Sequence, residues 1–215
     1  MWDTLQPKDK RPAMKLFYSP GACSLASHIV LRESKLPFEL VKVNLKEKVT
    51  ADGRNFLSIN PKGYVPALEL DDGEVLTEGA TILAYLGDQA RSGDLAPAQG
   101  TKQRRGLAEW LHFIATELQK GISPLNNPKG TEELKQALRQ RLDLRFGYLA
   151  KSLTAQPYIL GEQYSVADAY AYYVLRSLRR LDAAALEASQ PLSSYFARIH
   201  AREATQAALT AEGIT

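Results

Sequence analysis

The chain has 215 residues, 45% of them hydrophobic and 24% charged, the balance of an ordinary water-soluble globular protein. A formal net charge of +3, with Lys and Arg scattered among Asp and Glu, leaves no basic stripe of the kind that binds nucleic acid. One Cys and three His without ligand spacing argue against a structural zinc site. The lone Cys allows no internal disulfide, which fits a reducing compartment. No apolar run approaches a membrane span. Residues 1–13 are polar, contain prolines and lack the apolar centre of a secretory signal, so they read as a flexible extension.

Leu16, Phe17 and Tyr18 read as a short buried strand, and Ser19-Pro20-Gly21 as a turn. Leu25/Ile29 and Ala26/Val30 then pair at helical spacing, which places Cys23 and Ser24 at a helix start. Free N–H groups and the helix dipole favour a thiolate there, whereas a small inert buried Cys suits the same place. The helix stops before Pro37. Phe38 to Leu45 alternates as a second strand, parallel to the first because a helix makes the crossover. Lys46 to Lys62 reads as an irregular loop with a helical turn near Arg54–Ile59. Ala67–Leu70 and Glu74–Leu76 flank Asp71-Asp72-Gly73 as a hairpin, followed by a helix carrying Ile82, Tyr85, Leu86 and Ala90.

Arg91 to Gly100 is the linker candidate, and no strand candidate follows it. Leu107, Leu111, Ile114 and Leu118 form one apolar helical stripe; Leu134, Leu138, Leu142, Leu149 and Leu153 form another. Ser165-Val-Ala-Asp168 fits a capping box opening a helix towards Arg180. Pro191 starts a further helix, and a last one covers Glu203–Leu209. Arg105, Glu109, His112, Thr116 and Gln119 recur as a polar stripe, which predicts His112 and Gln119 on one face about 10 Å apart. The expected organisation is an extension (1–13), an α/β domain (14–91) and an all-α domain (101–215).

Taken together, Lys15 to Ser24 (Lys-Leu-Phe-Tyr-Ser-Pro-Gly-Ala-Cys-Ser), Asn60 to Leu68, Leu76-Thr-Glu-Gly79, Glu109-Trp-Leu111, Ala115 to Leu118 and Ser165 to Ala169 resemble the cytosolic glutathione S-transferases, above all the bacterial beta class. The resemblance covers everything from Met14 onward. It implies a thioredoxin-like N-terminal domain plus an all-α C-terminal domain, in a cytoplasmic homodimer that conjugates glutathione, its co-substrate, to hydrophobic electrophiles. No metal, membrane or nucleic acid enters this picture. Carried over by position, Cys23, Ser24 and Tyr18 lie at the glutathione sulfur, although a core role suits Tyr18 equally. Val65-Pro66 matches a cis-proline segment that pairs with the peptide. Glu78-Gly79 matches the γ-glutamyl site, where Glu78 also suits the helix dipole. Lys48 matches a lysine for the glycyl carboxylate, though it reads alone as a surface charge. Tyr64 stands where the family has Gln, so a contact to the peptide is missing or replaced.

The family usually has His-Lys where this chain has Gln119-Lys120, and Gln119 can donate a hydrogen bond but does not titrate. In a dimer, His112 (more often Asn in the family) and Glu117 approach the partner's glutathione. Two other readings keep the fold: a glutathione-dependent thiol–disulfide or peroxide reductase working through Cys23, and a non-enzymatic carrier of hydrophobic ligands.

Overall fold

In a computed structural model the described residues are 14–90 and 93–214, so the expected extension lies outside them. Five strands, β1 (Met14–Tyr18), β2 (Phe38–Asn44), β3 (Val49–Thr50), β4 (Ala67–Glu69) and β5 (Val75–Thr77), form one sheet in the order β3-β2-β1-β4-β5. β1 and β2 are parallel, with Met14 opposite Phe38; the other pairings are antiparallel. Helix α1 (Ser24–Ser34) makes the expected crossover and ends at Lys35, whose φ of 55° closes a left-handed cap. Helix α2 (Gly79–Gln89) covers the same face. Within the loop over 46–62, Val49–Thr50 pairs with Val43–Asn44, a strand too short to show a period; the helical turn narrows to Phe56–Ser58.

Alternation along β1 divides the core. Leu16 and Tyr18 face α1 and the helical half, while Phe17 packs on Phe56, Val43, Val65 and Ala67 beneath the other face. Gly87 lets α2 come close to the connection that follows, since a Cβ there sits 2.8 Å from that of Ala96.

Helix α3 (Lys102–Phe113) runs through a π-helical stretch, Ile114–Gln119, into a single turn α4 (Lys120–Ile122). Next come α5 (Glu132–Ser152), α6 (Val166–Leu181), α7 (Ala183–Glu187, not predicted), α8 (Gln190–His200) and α9 (Glu203–Glu212). The capping box at Ser165 is present. Asp168 is fully buried and accepts from the N–H groups of Ile159 (2.9 Å) and Ser165 (2.7 Å), and from the hydroxyls of Ser165 (2.9 Å) and Tyr195 (2.8 Å). Four donors are what a buried carboxylate needs to offset lost hydration. Helix α9 packs on α1 through a fully buried pair, His28 Nδ1 to Glu212 Oε1 at 2.9 Å. Arg32 Nε donates to His28 Nε2 (2.9 Å), which makes Nδ1 the protonated nitrogen.

Candidate functional site

The turn after β1 is tied down from two sides. Ser24 Oγ accepts from the Ser19 N–H (3.3 Å) and donates to Ser19 O (3.4 Å), and the Gly21 N–H donates to Glu212 Oε2 (2.8 Å). Ser24 is fully buried and its hydroxyl closes the turn. Tyr18 is a core residue against the His28 ring (6.2 Å), its phenol pushed up by burial and then by Glu212. Neither lines the cavities at Cys23.

Cys23 donates its thiol hydrogen to Val65 O (3.0 Å), next to the cis Val65-Pro66 bond. Burial pushes the Cys23 thiol up; Gln119, which lines the same two cavities, is the largest opposing influence, followed by local backbone N–H groups and Lys120. Loss of hydration outweighs the helix start at this half-buried residue, whose thiol lies against Val65 O.

That stretch also explains Gln119. A run of i→i+5 geometry turns less per residue than an α-helix, so the polar stripe loses phase after Thr116. Gln119 therefore reaches Cys23, whereas exposed His112 folds back on its own helix, Nδ1 donating to Ala108 O at 2.7 Å. The shared face expected for the two residues is not formed. Tyr170 on α6 donates to Gln119 Oε1, which directs the amide nitrogen towards the thiol. Burial raises the Tyr170 phenol far above its ordinary range and keeps it a donor.

Beyond Val65, Glu78 sits at the start of α2 with a φ of 71°. Its Oε1 accepts from Lys62 Nζ (2.7 Å) and from Tyr64 Oη (2.8 Å), and these two bonds hold its carboxyl below the usual range. Lys120 Nζ lies 5.9 Å from the Tyr64 ring centre. Tyr64 thus supplies a polar contact to Glu78. Lys48 Nζ donates to Gly63 O (2.6 Å), beside Tyr64 but outside the cavity linings. Glu117 accepts from Arg145 (2.7 Å) and Arg141 (3.0 Å), whose guanidinium groups lower its carboxyl, and it does not join Cys23 within one chain.

Two cavities meet at Cys23, Tyr64, Val65 and Gln119. One, of about 260 Å³, continues to Pro66, Glu78, Gly79, Lys120 and Tyr170. The other, of about 400 Å³, continues to Leu45, Ile122, Asn126, Tyr173 and Arg180. A further cleft, of about 920 Å³ between the end of α1 and α9, shares no residue with either. Lys62, Tyr170, Tyr173 and Arg180 were missed from the sequence. Three of them lie on α6, whose tyrosines look like core at helical spacing.

Comparison with known proteins follows the same lines. Residues 21–89 match the family model for the glutathione S-transferase N-terminal domain, and residues 113–203 match the one for the C-terminal domain. The chain is 43% identical over 201 residues to glutathione S-transferase GstA of Escherichia coli O157:H7, covering 94% of this chain and all of that protein. It superimposes with a TM-score of 0.90 on a structure described as the ternary complex of BphK, a bacterial GST. There the identity is 50%, over 93% of this chain and 99% of the other. A sphingomonad glutathione S-transferase complexed with glutathione gives 0.89 at 42% identity, over 94% and 100%.

Proposed function

We propose how the Cys23 site works from one premise: the chain belongs to the glutathione S-transferase family. It is a transferase that conjugates glutathione to electrophiles. In our reading the tripeptide fills the smaller cavity. Its cysteinyl part pairs with the Val65 backbone as an added strand. Its γ-glutamyl end meets the Gly79 N–H and Glu78, and Lys62, held by Glu78, supplies positive charge. Lys48 and Lys120 stand for the glycyl carboxylate.

The observation that carries the reading is the polar triangle of Cys23, Val65 O and Gln119 where the two cavities join. Burial keeps Cys23 protonated, so once glutathione occupies the Val65 backbone its S–H is available to the incoming sulfur. Two donors, the Cys23 thiol and the Gln119 amide, stabilise the glutathione thiolate. A hydrogen bond to the charged form lowers a pKa, so the thiolate is the species that attacks. The carbon–sulfur bond forms as the leaving group departs with its electron pair, and the thiol proton passes to solvent. A reductase working through Cys23 needs that residue as the attacking thiolate, which its burial opposes.

We also place the protein in the cytoplasm as a homodimer. Leu144, 71% exposed, and Tyr148 flank a hollow of about 410 Å³ whose wall includes Trp110 and Phe113, a surface suited to a second copy. On the same helix, His112 and Glu117 are the residues for the partner's site. The two folding units in this reading are 14–91 and 101–215.

The test is retention on immobilised glutathione, release by free glutathione, and turnover of 1-chloro-2,4-dinitrobenzene. Cys23→Ala retains binding and loses about tenfold in turnover near neutral pH, one donor of two. Absence of retention and turnover in the parent protein overturns the reading.

A further inference from the structure

The larger cavity has an uneven wall. Ala22, Leu45 and Ile122 contribute apolar lining, Ser123, Asn126 and Tyr173 contribute groups that can donate hydrogen bonds, and no Asp or Glu lines it. Burial pushes the Tyr173 phenol up to about 12, so its hydroxyl keeps its proton.

The one charged group in the lining is Arg180, near the end of α6. Its guanidinium lies 3.9 Å from the place a Cβ takes on Gly21, two residues before Cys23. Arg176 comes equally near, at 3.7 Å, but donates to Ile214 O (2.5 Å). Arg180 makes no hydrogen bond or ion pair with another described residue. The nearest acid across the turn, Glu212, is buried and has one oxygen on Gly21 and the other on His28. Asp182, two residues on from Arg180, caps the Ala185 N–H. An exposed guanidinium that lines the same cavity as Cys23, in a lining that includes apolar side chains and no acid, can recognise an anion attached to an apolar body.

We propose that this cavity selects electrophiles that carry a carboxylate, with Arg180 as the residue that reads the charge and the reactive carbon turned to the sulfur at Cys23. The proposal rests on the transferase reading above. For an aryl chloride the balance is simple. Glutathione sulfur forms the C–S bond, the C–Cl bond breaks, chloride leaves with the pair, and the thiol proton goes to solvent.

The experiment compares 4-chloro-3,5-dinitrobenzoate with 1-chloro-2,4-dinitrobenzene, each corrected for its uncatalysed reaction with glutathione. The ratio of kcat/KM favours the benzoate, and Arg180→Gln lowers that ratio about tenfold while Arg180→Lys keeps part of it. In the unmodified protein the ratio falls as ionic strength rises, a readout independent of any variant. Turnover of the neutral compound with no preference for the benzoate, or a ratio untouched by Arg180→Gln, overturns the subsite. No glutathione-dependent turnover of either compound overturns the transferase reading, and the subsite with it.

Discussion

Replacing Gln119 by Leu tests the electrostatics of the site at Cys23. The substitution removes the amide that opposes burial at Cys23 but keeps the space filled, so the desolvation of the sulfur stays in place. A hydrogen bond to a charged group is worth about 1.5–3 kcal/mol, against about 0.5–1.5 kcal/mol for a neutral one. The thiolate therefore loses roughly 1.4 kcal/mol more than the thiol, close to a factor of ten. The sign is set by the direction already present: burial raises the Cys23 thiol, Gln119 restrains the rise, and removing Gln119 lets it rise further. Cys23 is the only cysteine in the chain, so iodoacetamide alkylation followed by intact mass reports it alone. The rate at a fixed pH near 7 is expected to drop about tenfold, with the whole profile displaced to higher pH. Tyr170→Phe, which frees the amide to turn, shifts it the same way by less. Superimposable profiles for the parent and Gln119→Leu would show that the amide does not govern the sulfur.

Three further outcomes follow from the same geometry. Glu212→Gln presents an amide nitrogen to one of two buried donors, the Gly21 N–H or His28 Nδ1–H, and lowers stability by about 1–3 kcal/mol in urea unfolding; an unchanged midpoint refutes the role. Asp168→Ala strands four donors and costs about 3–5 kcal/mol by the same measurement. Glu78→Gln weakens glutathione binding about tenfold by titration calorimetry, since Lys62 loses its charged partner and the ligand's ammonium loses its own; equal affinity removes Glu78 from the site.

What the chain discloses before folding depends on distance along it. The β1–turn–α1 unit, the hairpin at Asp71-Asp72-Gly73 and the capping box at Ser165 all rest on neighbours within a few residues, and each is legible. Val65-Pro66 and Glu78-Gly79 are legible as parts of longer motifs. The fate of Tyr18 and Cys23 is not, because it depends on Glu212, Val65 and Gln119, which only tertiary packing brings near. The periodicity argument at His112 and Gln119 assumes a regular helix, and the π-helical stretch removes that assumption without any marker in composition. Arg180 and Lys62 are exposed charges, and only the fold places a cavity beside one and the Glu78 carboxylate beside the other.

The bond from Gly21 to Glu212 spans 191 positions, almost the whole length of the polypeptide. At about 5–20 residues per second, a ribosome needs on the order of 10–40 s between making the donor and making the acceptor. The sheet-bearing half can pair its own strands in that interval, yet the turn beside Cys23 waits for the last helix to be threaded out. Competence at the sulfur is therefore a late event in the life of each molecule. A nascent chain released short of Glu212 carries a nearly finished scaffold around a turn held only by its local Ser19–Ser24 bonds.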